Sequence, residues 1–231
     1  SWSRMSEIDI IKAVATVIAL IVAIVGHEIM HGFVAYKYGD NTAKEQNRLS
    51  VNPVKHVDPI GTIAVPAVLF VSGAPFLFGW AKPVPVNIVT VVRNGGYGGA
   101  IGVALAGVTF NFALAALASV FLGGMDQPQS LGSAFIFMVL AQLVIINVVL
   151  GVFNLWPIPP LDGANAIKYM AMHVNLAGVV RGLEKIEPYG MILVIAVIIT
   201  PLQKIFFAPA ITMRLLSEEK KSGTLEFLTT R

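Results

Sequence analysis

The chain has 231 residues, of which 56% are hydrophobic and only 13% charged, and its mean hydropathy is +0.77. A soluble domain carries about 25% charged residues, so an ordinary water-soluble enzyme is excluded and a polytopic membrane protein fits. The net charge of +3 is too small for a nucleic-acid surface, and the lack of cysteine rules out disulfides and thiolate metal sites.

The first long apolar run covers about residues 8 to 36. It lacks a cleavage signature and is expected to stay in the mature protein. Met5 reads as a native start, with residues 1–4 and part of the polar tail after Ser217 foreign to it. Near its end the run carries His27, Glu28 and His31 in a His-Glu-x-x-His pattern. Two imidazoles and a carboxylate are costly at membrane depth unless something uses them. On a helix the two histidines share one face, about 40° apart, and Glu28 flanks them. Neutral imidazoles are zinc ligands, and an adjacent carboxylate that does not ligate can act as the base toward a water.

A loop, residues 37–58, follows with Lys37, Lys44, Arg48 and Lys55. Residues 60–79 are apolar but broken by Pro66, Gly73 and Pro75, and residues 80–87 alternate two prolines, Pro83 and Pro85, which forbids helix and favours an extended edge. Three more spans are expected. One covers about residues 97–122, rich in Gly and Ala for close packing in lipid; one covers 133–156; one covers 189–207, with a kink at Pro201. The loop 157–188 carries Lys168, Arg181 and Lys185, whereas the loop 123–132 has no Lys or Arg. The positive-inside rule therefore puts loops 37–58 and 157–188 in the cytoplasm and loop 123–132 outside, although Arg4 and Lys12 at the outer end of the first span weaken the bias. The first span then ends inside and the Ala-rich span starts inside, so residues 34–96 make no net crossing. Residues 60–79, too short for two passes, are expected to dip in and return, next to a water-accessible site.

A catalytic zinc site needs a third protein ligand. His56, His173, Asp58 and Asp162 are the candidates. Asp162 is best placed, just past the inner end of the 133–156 span and on the same side as His31. Pro157, Pro159 and Pro160 break the helix before it, and Gly163 gives the backbone room behind it. Its alternative role is to cap a helix over residues 164–172. His56 reads as a ligand, a group supporting the site, a residue on the substrate side or a plain interfacial histidine, with Asp58 able to orient it. His173 reads as a helix-end residue.

The membrane-embedded His27-Glu28-x-x-His31, the later Asn154-x-x-Pro157-x-x-Pro160-Leu161-Asp162-Gly163 and the Asn111 of a middle span together resemble the site-2 protease family of zinc metalloproteases, in its compact prokaryotic branch without a PDZ insertion. Residues 52–62 and 79–87 resemble that branch as well, and the likeness covers about residues 20–170. The resemblance implies one Zn2+ per chain held by His27, His31 and Asp162, Glu28 as catalytic base, and a three-helix core with its site inside the cytoplasmic face. It also implies that Asn111 lies near the metal and meets the substrate or its oxyanion; the other reading of Asn111 is a helix–helix hydrogen bond. Asn154 either holds the Pro-rich turn or contacts the substrate. The family often has proline after the glycine of Gly107-Val108-Thr109-Phe110-Asn111; Val108 stands there, which puts a kink in doubt.

The resulting expectation is an all-α polytopic membrane protein in a single domain. A three-helix core (about residues 8–172) carries a re-entrant or extended segment between its first and second helices, then a C-terminal transmembrane helix (189–207) and a polar tail (217–231). Its expected place is a prokaryotic cytoplasmic membrane, its partners the lipid bilayer and a transmembrane protein substrate. The expected activity is hydrolysis of peptide bonds within the membrane, with the extended segment (Lys82, Val84, Val86) capturing the unwound substrate by edge pairing. Two rivals share these residues: a membrane metal transporter and a catalytically dead scaffold of the same fold.

Overall fold

The computed structural model describes residues 7–73 and 78–200. Within them the secondary structure is helical, and three helices are long and apolar enough to cross a membrane: α1 (Glu7–Lys37), α4 (Ile88–Gly123) and α5 (Leu131–Asn154). Between α1 and α4 lie the short α2 (Thr42–Glu45), two tight helical turns (Pro53–His56 and Pro59–Ala64) and α3 (Val65–Val71). After α5 come α6 (Asp162–His173), α7 (Ala177–Ile186) and α8 (Gly190–Ile199).

Small residues decide how the long helices meet. Ala15, Ala19 and Ala23 of α1 are fully buried and stand one turn apart. The opposite face shows Val14, Val17, Ile18 and Ile21, which are exposed in the protein and suit lipid. With no water to drive helices together in a bilayer, close approach over small side chains supplies the packing. The α1 stripe continues one turn further to His27 and then to His31, so the seam that joins the helices leads directly to the polar pair. α4 answers with Ala100, Ala104, Gly107, Asn111, Ala115 and Ala118 on its buried face. It is interrupted at Gly96, whose φ of 62° only glycine adopts freely. The expected span boundary at Tyr97 falls there, and the helix continues regular through Gly107–Asn111, so the missing proline leaves no kink.

The segment between α1 and α4 goes out and comes back. The Trp80 N–H donates to the Gly61 carbonyl at 3.0 Å, and the Thr62 hydroxyl to the Trp80 carbonyl at 2.8 Å. Its two arms therefore lie side by side, as the parity of the spans requires. A side chain at Gly61 would occupy the place of the Trp80 indole. Residues 78–87 form no helix, as the prolines predict, and pair in no strand ladder among the described residues. Asp58 does not orient His56: its carboxylate caps the turn after it, accepting from the Ile60 and Gly61 N–H groups.

The stretch between residues 157 and 188, expected as a loop with one helix, folds into two, α6 and α7. Trp156, Leu161 and Val194 form a buried cluster that packs α8 under the Pro-rich turn. Only the first part of the fourth expected span is described, as α8; Pro201, the rest of that span and the 217–231 tail lie outside the described residues.

Candidate metal centre

Two elements deliver three side chains to one point. α1 brings His27 and His31 on adjacent turns, and the turn after α5 ends in Asp162, first residue of α6. Leu161 precedes the helix, and the Asp162 carboxylate makes no cap. It turns instead toward the histidines. Its Oδ2 stands 3.0 Å from His27 Nε2 and 3.3 Å from His31 Nε2, and the two Nε2 atoms are 3.1 Å apart. These are the residues among those described that can hold a metal ion together. Gly163 lets this happen, because a Cβ there would run into the Leu155 backbone.

The far sides of the rings fix the chemistry of the near sides. His31 Nδ1 lies 2.7 Å from the Val103 carbonyl, which only accepts, so Nδ1 carries the proton. His27 Nδ1 lies 2.6 Å from Asn111 Oδ1. The Asn111 amide nitrogen faces the Ala23 carbonyl at 3.2 Å and Asn147 Oδ1 at 2.8 Å, so its oxygen must be the atom toward His27, and His27 Nδ1 also carries its proton. In the neutral rings both Nε2 atoms are then bare lone pairs. Together with Asp162 Oδ2, which is buried without a hydrogen-bond donor, they make three acceptors within about van der Waals contact and no proton between them. Such a cluster repels itself unless a cation sits in it. Ligands about 2.0 Å from a tetrahedral zinc stand about 3.3 Å apart, so the observed triangle matches one face of that tetrahedron and leaves the fourth position for water or substrate. The donor set fits zinc. Room for it is made by Gly107 on α4, where a Cβ would lie 2.5 Å from His27 Nε2.

A cavity of about 680 Å3 opens over the three ligands, lined among others by Glu28, Trp80, Pro83, Phe153, Asn154 and Tyr169. Glu28 Oε2 accepts the Val84 N–H at 3.0 Å, which holds the carboxylate at the cavity wall beside the extended segment. The segment is fastened at both ends. Arg48 donates to the Lys82 carbonyl at 2.8 Å, the Lys82 N–H donates to the His56 carbonyl at 2.9 Å, and the Asn87 N–H donates to Asp40 at 2.6 Å. Asp40 is 3% exposed and Arg48 7%. Burial pushes the Asp40 carboxyl up, but hydrogen bonds from Thr42 and the Asn87 N–H hold it below the usual carboxylate range.

Several expectations change at this point. Asn111 is fully buried and both its amide protons are committed to Ala23 and Asn147. It has no donor left for an oxyanion and supports His27 instead. His56 is buried, bonds the Ser50 carbonyl through Nε2 at 2.8 Å and does not line the cavity. His173 lies away from the site, edge-on to Tyr97. Asn154 does line the cavity, with one amide proton returned to the Leu150 carbonyl of its own helix. Lys82 and Val84 spend their N–H groups within the protein, so neither is free to pair with a substrate in this arrangement. Asn147, Asp40, Arg48 and Tyr169 were not anticipated. Asn147 had a readable signal, an amide inside an apolar span; Asp40 and Arg48, charges in a polar loop, had none.

Three helices long and apolar enough to cross a membrane, with a His-His-Asp acceptor cluster and an adjacent glutamate over a cleft, give the fold and donor set of a membrane metalloprotein. Comparison with known proteins narrows the class. The chain is 38% identical over 195 residues to "Putative zinc metalloprotease YwhC" of Bacillus subtilis, covering 80% of each chain. It is 29% identical over 182 residues to "Putative zinc metalloprotease Rip2" of Mycolicibacterium smegmatis, covering 78% of this chain and 65% of that one. To the Rip2 of Mycobacterium tuberculosis H37Rv it is 30% identical over 142 residues, 62% of this chain and 51% of that one. No family model matches the chain, and no solved structure matches it. The chain belongs to the site-2 protease family of zinc metalloproteases.

Proposed function

We propose that this protein is an intramembrane zinc endopeptidase that cuts transmembrane or membrane-associated proteins, in a prokaryotic cytoplasmic membrane with its site toward the cytoplasm. The observation that carries the reading is the convergence of three proton-free acceptors beside a carboxylate that is not one of them. His27, His31 and Asp162 would hold the ion. Bound there, zinc would polarise a carbonyl oxygen and bring the pKa of a water toward neutrality.

The remaining work falls to the chain itself. Glu28 takes the proton from the attacking water and returns it to the leaving amine, the two halves of general acid–base catalysis. Its bond to the Val84 N–H aims one carboxylate oxygen and leaves the other to face the cleft. A transmembrane helix is a poor substrate until it unwinds, because its amides are bonded internally. Residues 80–87 offer an edge for the unwound segment. Pro83 and Pro85 have no N–H, and their carbonyls find no hydrogen-bond partner among the described residues. The edge therefore accepts and does not donate, and it would take N–H groups from alternate substrate residues. Replacing Val84 with proline would remove the N–H that holds Glu28, so it does not probe capture by itself. Asn154, with one amide proton uncommitted, is placed to meet the substrate backbone.

The decisive experiment measures zinc content and cleavage of a single-span substrate for wild type and Glu28→Gln in the same purified membranes. Glutamine still accepts the Val84 N–H but cannot take a proton. Zinc retained at about one per chain with cleavage lowered at least about 1000-fold is expected, since loss of general-base catalysis alone is worth about 10²–10⁴. Folded wild type without zinc, or a Gln variant that cleaves normally, would overturn the reading.

A further inference from the structure

Asn147 sits in the middle of α5, 0% exposed, among apolar neighbours. Burying an amide there costs free energy unless each of its polar atoms is used. Its Nδ2 donates to the Leu143 carbonyl at 2.8 Å, one turn back on its own helix. A carbonyl only accepts, so this bond fixes which end of the Asn147 amide is which and aims Oδ1 at α4. There Oδ1 receives the Asn111 Nδ2 at 2.8 Å. Asn111 Nδ2 also donates to the Ala23 carbonyl at 3.2 Å, and Asn111 Oδ1 receives the His27 Nδ1 proton. Two main-chain carbonyls, on α1 and α5, thus set the direction of a relay from Asn147 through Asn111 to His27. The relay ends in a bare Nε2 on His27, at the metal position.

We infer that Asn147 is a positioning residue for the metal centre: it orients the Asn111 amide, which holds His27 in the tautomer that can ligate. Without its acceptor, one Asn111 proton is left unpaired in an apolar interior, and the amide gains by turning or shifting away from His27. The ring then loses the partner that fixes its angle and raises its basicity as a ligand. Asn147 touches neither metal nor substrate. It also ties α5, whose end delivers Asp162, to the two helices that hold the histidines and Asn111.

The inference rests on the zinc reading above, and the test separates the two. Zinc affinity is measured by chelator competition on the full chain in detergent for wild type, Asn147→Leu and Asn147→Asp. Leucine fills the space and removes the acceptor; affinity is expected to fall about 10- to 100-fold, the usual cost of losing the group behind a histidine ligand. A carboxylic acid in Asn147→Asp can donate its O–H to Leu143 and accept from Asn111, and should recover affinity to within about threefold of wild type. The wild-type Asn111 side-chain amide should show protons protected from exchange by nitrogen-15 NMR. A folded Leu variant that binds zinc as wild type does, or an Asp variant as weak as the Leu variant, overturns the inference and leaves the protease reading standing. If neither variant folds, freely exchanging Asn111 amide protons in the wild type overturn it, and protected ones support it. Wild type that binds no zinc overturns the reading beneath it.

Discussion

The two walls of the cleft are built on different terms. The wall of α1, α4 and α5 is regular helix, its seam made of alanines and glycines, its polar atoms paired in a directed relay. The wall formed by residues 53–73 and 78–87 is two short helical turns, a short helix and an irregular arm, tied by hydrogen bonds to Arg48 and Asp40 and between Trp80 and Gly61 and Lys82 and His56. The helical wall has the geometry a metal demands, where a fraction of an ångström matters. The irregular wall has spare carbonyls and few fastenings, as suits a surface that must receive a chain of varied sequence. The division suggests that zinc binding and substrate handling can be damaged separately.

Gly107→Val should break the helical wall hardest. Its side chain would enter the space of the His27 ring, where even a Cβ lies 2.5 Å from Nε2. Zinc affinity should drop by about 100-fold or more, with overpacking costing about 1–3 kcal/mol of stability; chelator competition and thermal melting of the purified protein check both. Wild-type affinity would mean that α4 does not bound the metal position. Arg48→Met should strike the other wall alone. It removes the donor to the Lys82 carbonyl, a charge-assisted bond of about 1.5–3 kcal/mol, and cleavage should fall about tenfold while zinc content stays unchanged. Joint loss of zinc and activity would refute the separation of the walls. Asp40→Asn should be the mildest, about threefold in cleavage, because the asparagine oxygen still accepts either both Thr42 bonds or the Asn87 N–H. Its effect carries a pH signature. The Asp40 carboxyl is depressed in the folded protein, so its contribution to holding Asn87 is present above the ordinary value of 3.8 and lost as the pH falls through the lowered one. Wild type and Asp40→Asn should therefore differ in stability near neutrality and converge as the pH falls well below 3.8, as acid titration of unfolding would record.

The helical wall was the more legible in sequence. His27 and His31 are four apart, and the period of the helix alone puts them on one face. Charge bias in the loops predicted one common membrane side for the histidines and Asp162, and the structure brings the three side chains together. The outward-and-back path of residues 59–87 followed from the same parity, without any knowledge of Trp80 meeting Gly61. The rest depended on partners distant in the chain. Asn111 is one residue in both accounts, but the direction of its amide is set by Ala23 and Asn147, so its spacing alone could not distinguish an oxyanion donor from a support for His27. His56 looked like a site residue because it is a histidine beside the cleft-forming segment. Only the bond to the Ser50 carbonyl shows which way it turns. Lys82 and Val84 read as a free edge because alternating prolines forbid helix, but local sequence does not say which N–H groups the protein will use itself.

The order of the ligands along the chain has a biosynthetic consequence. His27 and His31 lie on α1, and Asp162 follows only after α4 and α5 have been made. A chain caught partway through synthesis has two imidazoles and a glutamate but no third acceptor, and neither Asn111 nor Asn147 to brace His27. It cannot assemble the acceptor cluster on which hydrolysis would depend.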